Sequence, residues 1–301
     1  MSARRPTGFS LIELMVVVVI TAIVVGYILS IFAGQILTYE GQRAAVEVQD
    51  DARLVSDLIL HDLRMAGFMM PPEGSVSGSD GGAAAADRLC VSDSSVLDED
   101  EVEAATERFE GAILASDLNG GSTADLVAGE LDVDGDGTDD FAVNAGVIVV
   151  EGTDTHCARI TGLGGGDIQF TPAVPAGFDA NAPNARAIPA VIYEMGAGGL
   201  LRNNLVVSRQ VEDLQIEYGV DANDDGQIVG GGEFPLHGLI GNEPALLRIV
   251  RLSVLTRTTL EDPQLPNGAG RPAVANRAAA GVPDAFRRRL VTASAAPRNL
   301  L

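Results

Sequence analysis

An apolar stretch near the N-terminus constrains this 301-residue chain more than any other feature. Residues 14–33 are almost entirely apolar, and only Thr21, Gly26 and Ser30 interrupt them. An α-helix rises 1.5 Å per residue, so about twenty apolar residues span the hydrocarbon core of a bilayer. We therefore predict a single transmembrane helix over about residues 9–37.

Positive charge lies on one side of this stretch. Arg4 and Arg5 precede it, and no Lys or Arg follows it until Arg43. Cationic flanks stay in the cytoplasm. The pattern predicts a single-pass membrane protein whose N-terminus is cytoplasmic and whose remaining residues lie outside the cytoplasm.

Two ordinary interpretations of the segment fit poorly. A secretory signal peptide has a shorter apolar region followed by a small-residue cleavage site, and Ile31-Phe32-Ala33 is a poor site. A plain signal anchor leaves Glu13 unexplained, because a carboxylate at the edge of an apolar run is costly without a partner or a role.

The sequence GFSLIELMV at residues 8–16 resembles the type III signal of type IV pilins and type II secretion pseudopilins. The resemblance implies that a prepilin peptidase cuts between Gly8 and Phe9, removes the leader 1–8 and methylates the new N-terminal amine. It also implies that Glu13, at the fifth mature position, pairs with the N-terminal amine of a neighbouring subunit during assembly. The alternative is a carboxylate at headgroup level with no specific partner.

The helix is predicted to continue beyond the membrane. Apolar residues recur at spacings of three and four, which places them on one helical face. These residues are Ala45, Val48, Ala52, Val55, Ile59, Leu63 and Ala66. Gly67 is a helix stop and Pro71-Pro72 prevents continuation, so we predict one helical segment over 9–67, ending near Ala66.

The remaining residues, 72–301, are predicted to form a β-rich head. Most of the chain's 35 glycines and 14 prolines lie here, which favours turns over helices. Residues 71–86 are predicted to be a linker or loop, and Asp98–Arg108 a short helix or a loop. The predicted strands are Arg88–Ser92, Phe141–Glu151, Ala158–Gly162, Ile168–Thr171, Ala190–Met195, Leu200–Ser208, Leu214–Val220 and Leu246–Thr258.

Strands without long intervening helices indicate an antiparallel arrangement. The predicted fold class is therefore α+β: a long N-terminal transmembrane and amphipathic helix packed on an antiparallel β-sheet head, as in pilins.

Three further segments are similar to PilW-type minor pilins: residues 206–221, residues 62–68, and the C-terminal stretches 286–290 and 298–300. This resemblance implies a minor pilin in a priming or tip complex, whose partners are other major and minor pilins and the inner-membrane assembly platform. The N-terminal motif alone does not separate it from a J-type minor pseudopilin of a type II secretion system.

Two acidic loops have the spacing of the start of an EF-hand, in which alternating oxygen ligands converge around a glycine. The candidate ligands are Asp132, Asp134, Asp136 and Asp140 in the first loop and Asp221, Asn223 and Asp225 in the second. The twelfth position of the first loop is Val143 instead of Glu, and Glu233 lies one place too late in the second. The alternatives are structural calcium sites or plain acidic turns, and calcium would allow a third function, a calcium-dependent adhesin.

Two cysteines, Cys90 and Cys157, each lie in a predicted strand. An even cysteine count in an exported head is compatible with a disulfide, whereas two buried free thiols pack equally well as small apolar groups.

Composition argues against two function classes. A net charge of −22 argues against binding of nucleic acid, which requires positive charge. The three histidines have no zinc-ligand spacing, and neither a nucleophile elbow nor a phosphate loop occurs. We therefore expect no enzymatic activity and no cofactor other than structural calcium.

Overall fold

The computed structural model describes residues 10–93, 96, 109–133, 137–175, 178–230, 232–238, 246–262, 265, 268 and 270–300. A single long helix, α1, spans Leu11–Met65. Gly67 follows it with φ of 79°, a left-handed conformation that glycine adopts without strain. The side chain of Asn299 donates to the carbonyls of Met65 and Ala66 at 3.0 and 3.2 Å, so the C-terminus of the chain caps this helix.

In the described residues the head contains strands and, among its 3-10 turns, Pro72–Gly74 and Arg298–Leu300. The strands are β1 Val76–Ser79, β2 Arg88–Val91, β3 Ala112–Ile113, β4 Leu118–Asn119, β5 Thr123–Asp125, β6 Gly146–Glu151, β7 Asp154–Gly164, β8 Asp167–Thr171, β9 Asp179–Ala180, β10 Arg186–Gly196, β11 Gly199–Arg202, β12 Leu205–Ser208, β13 Val211–Val220, β14 Leu247–Arg257 and β15 Arg288–Ala295.

These strands form three sheets, and every ladder between them is antiparallel. Ten strands share one sheet, with the path β1-β2-β10-β6-β7-β8-β5 and with β3, β11 and β12 at its side. The others are a three-stranded sheet, β13-β14-β15, and the pair β4-β9. The predicted α+β class with an antiparallel head is confirmed.

The ten-stranded sheet curls until distant strands face each other. β10 and β6 separate β2 from β7, so a flat sheet would hold those two strands about 14 Å apart. Instead, Cys90 in β2 and Cys157 in β7 form a disulfide with their Cα atoms 5.6 Å apart. The Ser77 hydroxyl of β1 also donates to Thr155 of β7 at 3.0 Å. Among the described strands no backbone ladder closes this seam, so side chains hold it.

The curl buries both faces of the central strands. The concave face holds a cluster, which we call the inner cluster, of Met70, Cys90, Ile148, Val150, Cys157, Ile188, Ala190 and Ile192. Alternate residues of the same strands point the other way: Val191 and Tyr193 of β10 join the core beneath α1, and Val147 and Val149 of β6 join a third cluster.

The C-terminal part of α1 packs on the head along the predicted face. Val48, Ala52, Val55, Ile59, Leu63 and Ala66 are all buried. The last four of them share one cluster with residues of β13 and β14, namely Leu214, Ile216, Tyr218, Val250, Leu252 and Val254. One face of the helix therefore packs on alternate residues of β13 and β14, and the sequence predicted that this part of the helix covers the sheet of the head.

The prediction of a linker over residues 71–86 was wrong in part, because β1 lies within it. Its first three residues, Val76, Ser77 and Gly78, are buried, and the strand pairs with β2 although its composition is that of a loop. Close packing leaves room only for glycine at position 78. A Cβ on Gly78 would collide with the hydroxyl of Tyr218, whose ring is fully buried.

We expect Gly78→Ala to lower the free energy of unfolding by about 1–3 kcal/mol, the usual cost of overpacking a core. Tyr218→Phe removes the colliding oxygen, which has no hydrogen-bond partner among the described residues. The ring carbon Cζ still lies 2.8 Å from the added Cβ, so the double variant should regain part of the loss in chemical denaturation. Equal losses in the single Gly78→Ala variant and the double variant would contradict this account of the contact.

Candidate functional site

The N-terminal end of α1 places one carboxylate beside an apolar surface. The Ser10 carbonyl accepts the N–H groups of Glu13 and Leu14 at 3.1 and 3.2 Å, which starts the helix. Glu13 therefore lies in the first turn, where the helix dipole favours negative charge. Gly8 and Phe9 lie outside the described residues.

The helix that follows is long and apolar enough to cross a membrane. No charged residue or histidine occurs between Glu13 and Glu40. Every residue from Leu11 to Glu40 is exposed. Its large apolar side chains are exposed; Leu11, Ile12 and Tyr27, for example, are each about 70% exposed or more. A surface of this kind is stable only when lipid or another apolar surface covers it.

Two polar side chains within the apolar segment are satisfied inside the helix. The Ser30 hydroxyl donates to the Tyr27 carbonyl at 2.8 Å, and Thr38 donates to the Gly34 carbonyl at 2.9 Å. Polar groups in lipid have to be bonded internally, because no water is available there. These two hydroxyl groups are therefore compatible with an apolar environment.

The first acidic loop is only partly described. Asp134 and Asp136 lie outside the described residues, whereas Asp132 and Asp140 are placed. Asp132 accepts the N–H of Gly137 at 2.8 Å, and Asp140 accepts the N–H of Val133 at 2.6 Å. Both carboxylates therefore hold the loop by backbone contacts.

The second acidic loop is closed around Asp221, which is almost fully buried. Its carboxylate accepts the N–H groups of Asp225 and Gly226 at 3.1 and 3.0 Å. Asn223 also accepts the N–H of Asp225, at 3.0 Å. The Glu233 carboxylate accepts the N–H of Val229 at 2.8 Å. Gly226 has a φ of 76°, the left-handed conformation that glycine adopts without strain.

No group of three or more His, Cys, Asp or Glu side chains in the described part of the chain is arranged to hold a metal ion. Asp134 and Asp136 lie outside the described residues. Calcium binding by either loop therefore stays a prediction.

Several buried carboxylates of the described residues were not found from the sequence, and three of them connect elements of the head through arginine. The first, Asp62 of α1, accepts the Tyr193 hydroxyl at 2.7 Å and pairs with Arg202 at 3.0 Å. Burial, and next the Asp62 carboxylate, raise the pKa of Tyr193, so the phenol stays neutral and donates. This contact ties the helix to β10 and β11.

The second, Glu194, closes one end of the inner cluster. It lies two residues beyond Ile192 on the concave face, and pairs with Arg88 at 3.1 Å and Arg159 at 2.8 Å. A glutamate inside the apolar run of β10 was the available signal, because a buried charge requires a partner. The identity of its partners depends on the curl of the sheet.

The third, Asp213 of β13, has no exposed surface. Arg271 and Arg277 pair with its two oxygens at 2.9 and 2.5 Å. The segment 270–280 is thereby held against the outer face of the small sheet, and no local sequence pattern connects these residues.

Comparisons with known proteins identify the N-terminal segment. The family model for the prokaryotic N-terminal methylation motif matches residues 3–29, which include Gly8, Phe9 and Glu13. No curated protein matches the chain. A type IV-like pilin from Thermus thermophilus is a structural match with a TM-score of 0.24 and 13% sequence identity, and the match covers 52% of this chain and 85% of that chain. The chain thus carries the methylation motif at the start of its apolar helix.

Proposed function

We propose that this chain is a membrane-anchored type IV pilin-like subunit, cleaved after Gly8 and methylated on the amine of Phe9. The observation that carries the proposal is the exposed apolar segment of α1, which has no charge between Glu13 and Glu40 and has Glu13 in its first turn, within the methylation motif. In this proposal α1 anchors the protein in the inner membrane, with the N-terminus in the cytoplasm and the head in the periplasm. The same helix then packs against the helices of other subunits when the filament forms.

Electrostatics gives Glu13 its role in this process. A carboxylate in an apolar environment is destabilised by loss of hydration, and a nearby positive amine offsets that cost. A neighbouring subunit whose methylated N-terminus lies beside Glu13 is therefore favoured over one shifted along the helix. The carboxylate sets the register, and apolar packing supplies the attraction.

We further propose the finer assignment of a PilW-type minor pilin that acts in a priming or tip complex. The segments that resemble this group are distant in sequence but contribute to one core. Leu63 and Ala66, then Leu214 and Ile216, and finally Leu300 belong to the cluster beneath α1. This arrangement supports a resemblance based on shared packing.

Glu13→Gln is expected to leave removal of residues 1–8 intact but to reduce incorporation into filaments strongly. The amide keeps the shape of the side chain and removes the charge that attracts the amine. The measurement is the ratio of the subunit in sheared filaments to the subunit in membranes, by immunoblot. Glu40→Gln, which lies beyond the apolar run of the same helix, is the matched control and should be incorporated normally.

Normal incorporation of the Glu13→Gln variant would refute the assembly role. Deletion of the gene separates the related functions: a minor pilin predicts loss of pili, whereas a J-type pseudopilin predicts loss of protein secretion with pili retained. A calcium-dependent adhesin predicts intact pili that fail to bind surfaces when calcium is chelated.

A further inference from the structure

Asp87 joins the two main sheets of the head. It directly precedes β2 of the ten-stranded sheet, and its N–H donates to the Leu214 carbonyl of β13 at 2.9 Å. Its carboxylate accepts the N–H of Ile216, two residues further along β13, at 2.7 Å. Within its sheet β13 pairs only with β14, and at its other edge Leu236 forms a bridge with Tyr218. Asp87 bonds to this other edge at Leu214 and Ile216.

The Asp87 carboxylate is buried without a cation. The residue is 3% exposed. Its second oxygen accepts the N–H of Gly81 at 2.9 Å, and no Arg or His contacts it within the described part of the chain. Arg88, the next residue in the chain, pairs with Glu194, and Arg271 and Arg277 both pair with Asp213.

The ionisable groups that face Asp87 are mostly acidic. Asp80 belongs to its own loop, and Asp213 and the unpartnered hydroxyl of Tyr218 belong to β13. Burial is the largest cause that raises the pKa of Asp87, and Asp80 and Asp213 raise it further. The two backbone N–H groups lower it, and the net result is a pKa of about 7.

We propose that Asp87 makes the contact between the two sheets depend on pH, so that this contact is more stable at mildly acidic than at mildly basic pH. The basis is a buried carboxylate, held by two amides and faced by two further carboxylates, at the contact between β13 and the segment that leads into β2. When the carboxylate is ionised, the junction contains an uncompensated charge. When it is protonated, that charge is absent.

The sign follows from proton linkage. In the unfolded chain Asp titrates near pH 4, so between about pH 4 and about pH 7 the folded junction binds more protons than the open one. Its stability therefore falls as pH rises through this window and is constant above it. From about pH 8 to about pH 5.5 the opening equilibrium should become about thirtyfold less favourable.

A second buried group makes the head less stable as pH falls, so a variant is needed to isolate the contribution of Asp87. His156 is buried, which lowers its pKa, and it weakens the head as pH falls below about 6.5. Asp87→Asn removes the contribution of Asp87 to the pH dependence of stability and leaves that of His156 in place. Asp57→Asn, on the exposed side of α1, is the matched control.

Hydrogen exchange of the full chain in detergent tests the proposal, read in peptides that contain Ile216 and corrected for the intrinsic exchange rate. We expect wild type and Asp57→Asn to gain up to about thirtyfold protection on going from pH 8 to pH 5.5. Asp87→Asn should show no such gain.

Protection that does not rise at the lower pH in wild type would overturn the proposal, and this result does not depend on whether the variant folds. A rise that persists in Asp87→Asn would overturn it as well, because another group would then be responsible.

Discussion

Replacing Cys90 and Cys157 together by alanine is expected to lower the free energy of unfolding of the head by about 4 kcal/mol. The disulfide links residues 67 positions apart, so it removes many conformations from the unfolded chain. It also closes the seam between β2 and β7, where the described strands share no backbone ladder. Chemical denaturation of the full chain, with and without a reductant, measures the loss.

The reduced wild type separates the covalent link from packing. It keeps both sulfur atoms in the inner cluster, so it should lose most of the same free energy, whereas the alanine variant also leaves a small cavity. We expect proteolysis near Ser77 and Thr155 to increase in both. Unchanged denaturation midpoints in reduced wild type and in the alanine variant would contradict the role of the disulfide in closing the sheet.

Replacing Gly8 by valine is expected to abolish removal of residues 1–8, an all-or-none effect. Glycine lets the backbone approach an enzyme closely because it has no Cβ, and a β-branched side chain would block that approach. The unprocessed chain should stay in the membrane, without methylation and absent from filaments. Immunoblots of membranes and sheared filaments measure both results.

Gly34→Ala is the matched control in the same N-terminal region. A Cβ at Gly34 meets nothing within 4 Å, so this variant should be processed and incorporated as wild type is. Normal maturation of the Gly8→Val chain would contradict the proposed cleavage site. Equal failure of both variants would indicate a general defect in membrane insertion.

The helix and its buried face could be predicted from the sequence because both are local. Hydropathy defines the apolar run, and the recurrence of Val48, Ala52, Val55 and Ile59 fixes the packed side. The processing motif was recognised for the same reason, since it consists of neighbouring residues.

The curl of the large sheet could not be predicted, because it depends on contacts distant in sequence. The run Val147–Val150 is apolar at every position, so it does not reveal which residues face the inner cluster. The pairing of the cysteines depends on the same curl, and two cysteines in two strands fit either a disulfide or free thiols. β1 was missed because Gly78 and two serines have the composition of a loop.

Buried charges were missed for a similar reason. Asp87 meets Ile216 across 129 residues of sequence, and Asp213 meets Arg277 across 64. A carboxylate beside an apolar run indicates that a partner exists, but the fold determines which residue it is.

The N-terminus of the mature protein tests the central claim most directly. The chain contains no lysine, so an amine-reactive reagent on the purified membrane protein modifies only the N-terminal amine, and mass spectrometry then identifies the terminal peptide. We predict a chain that begins at Phe9 with a methyl group on its amine. A chain that begins at Met1 or Ser2, or one cut near Ala33, would contradict the account.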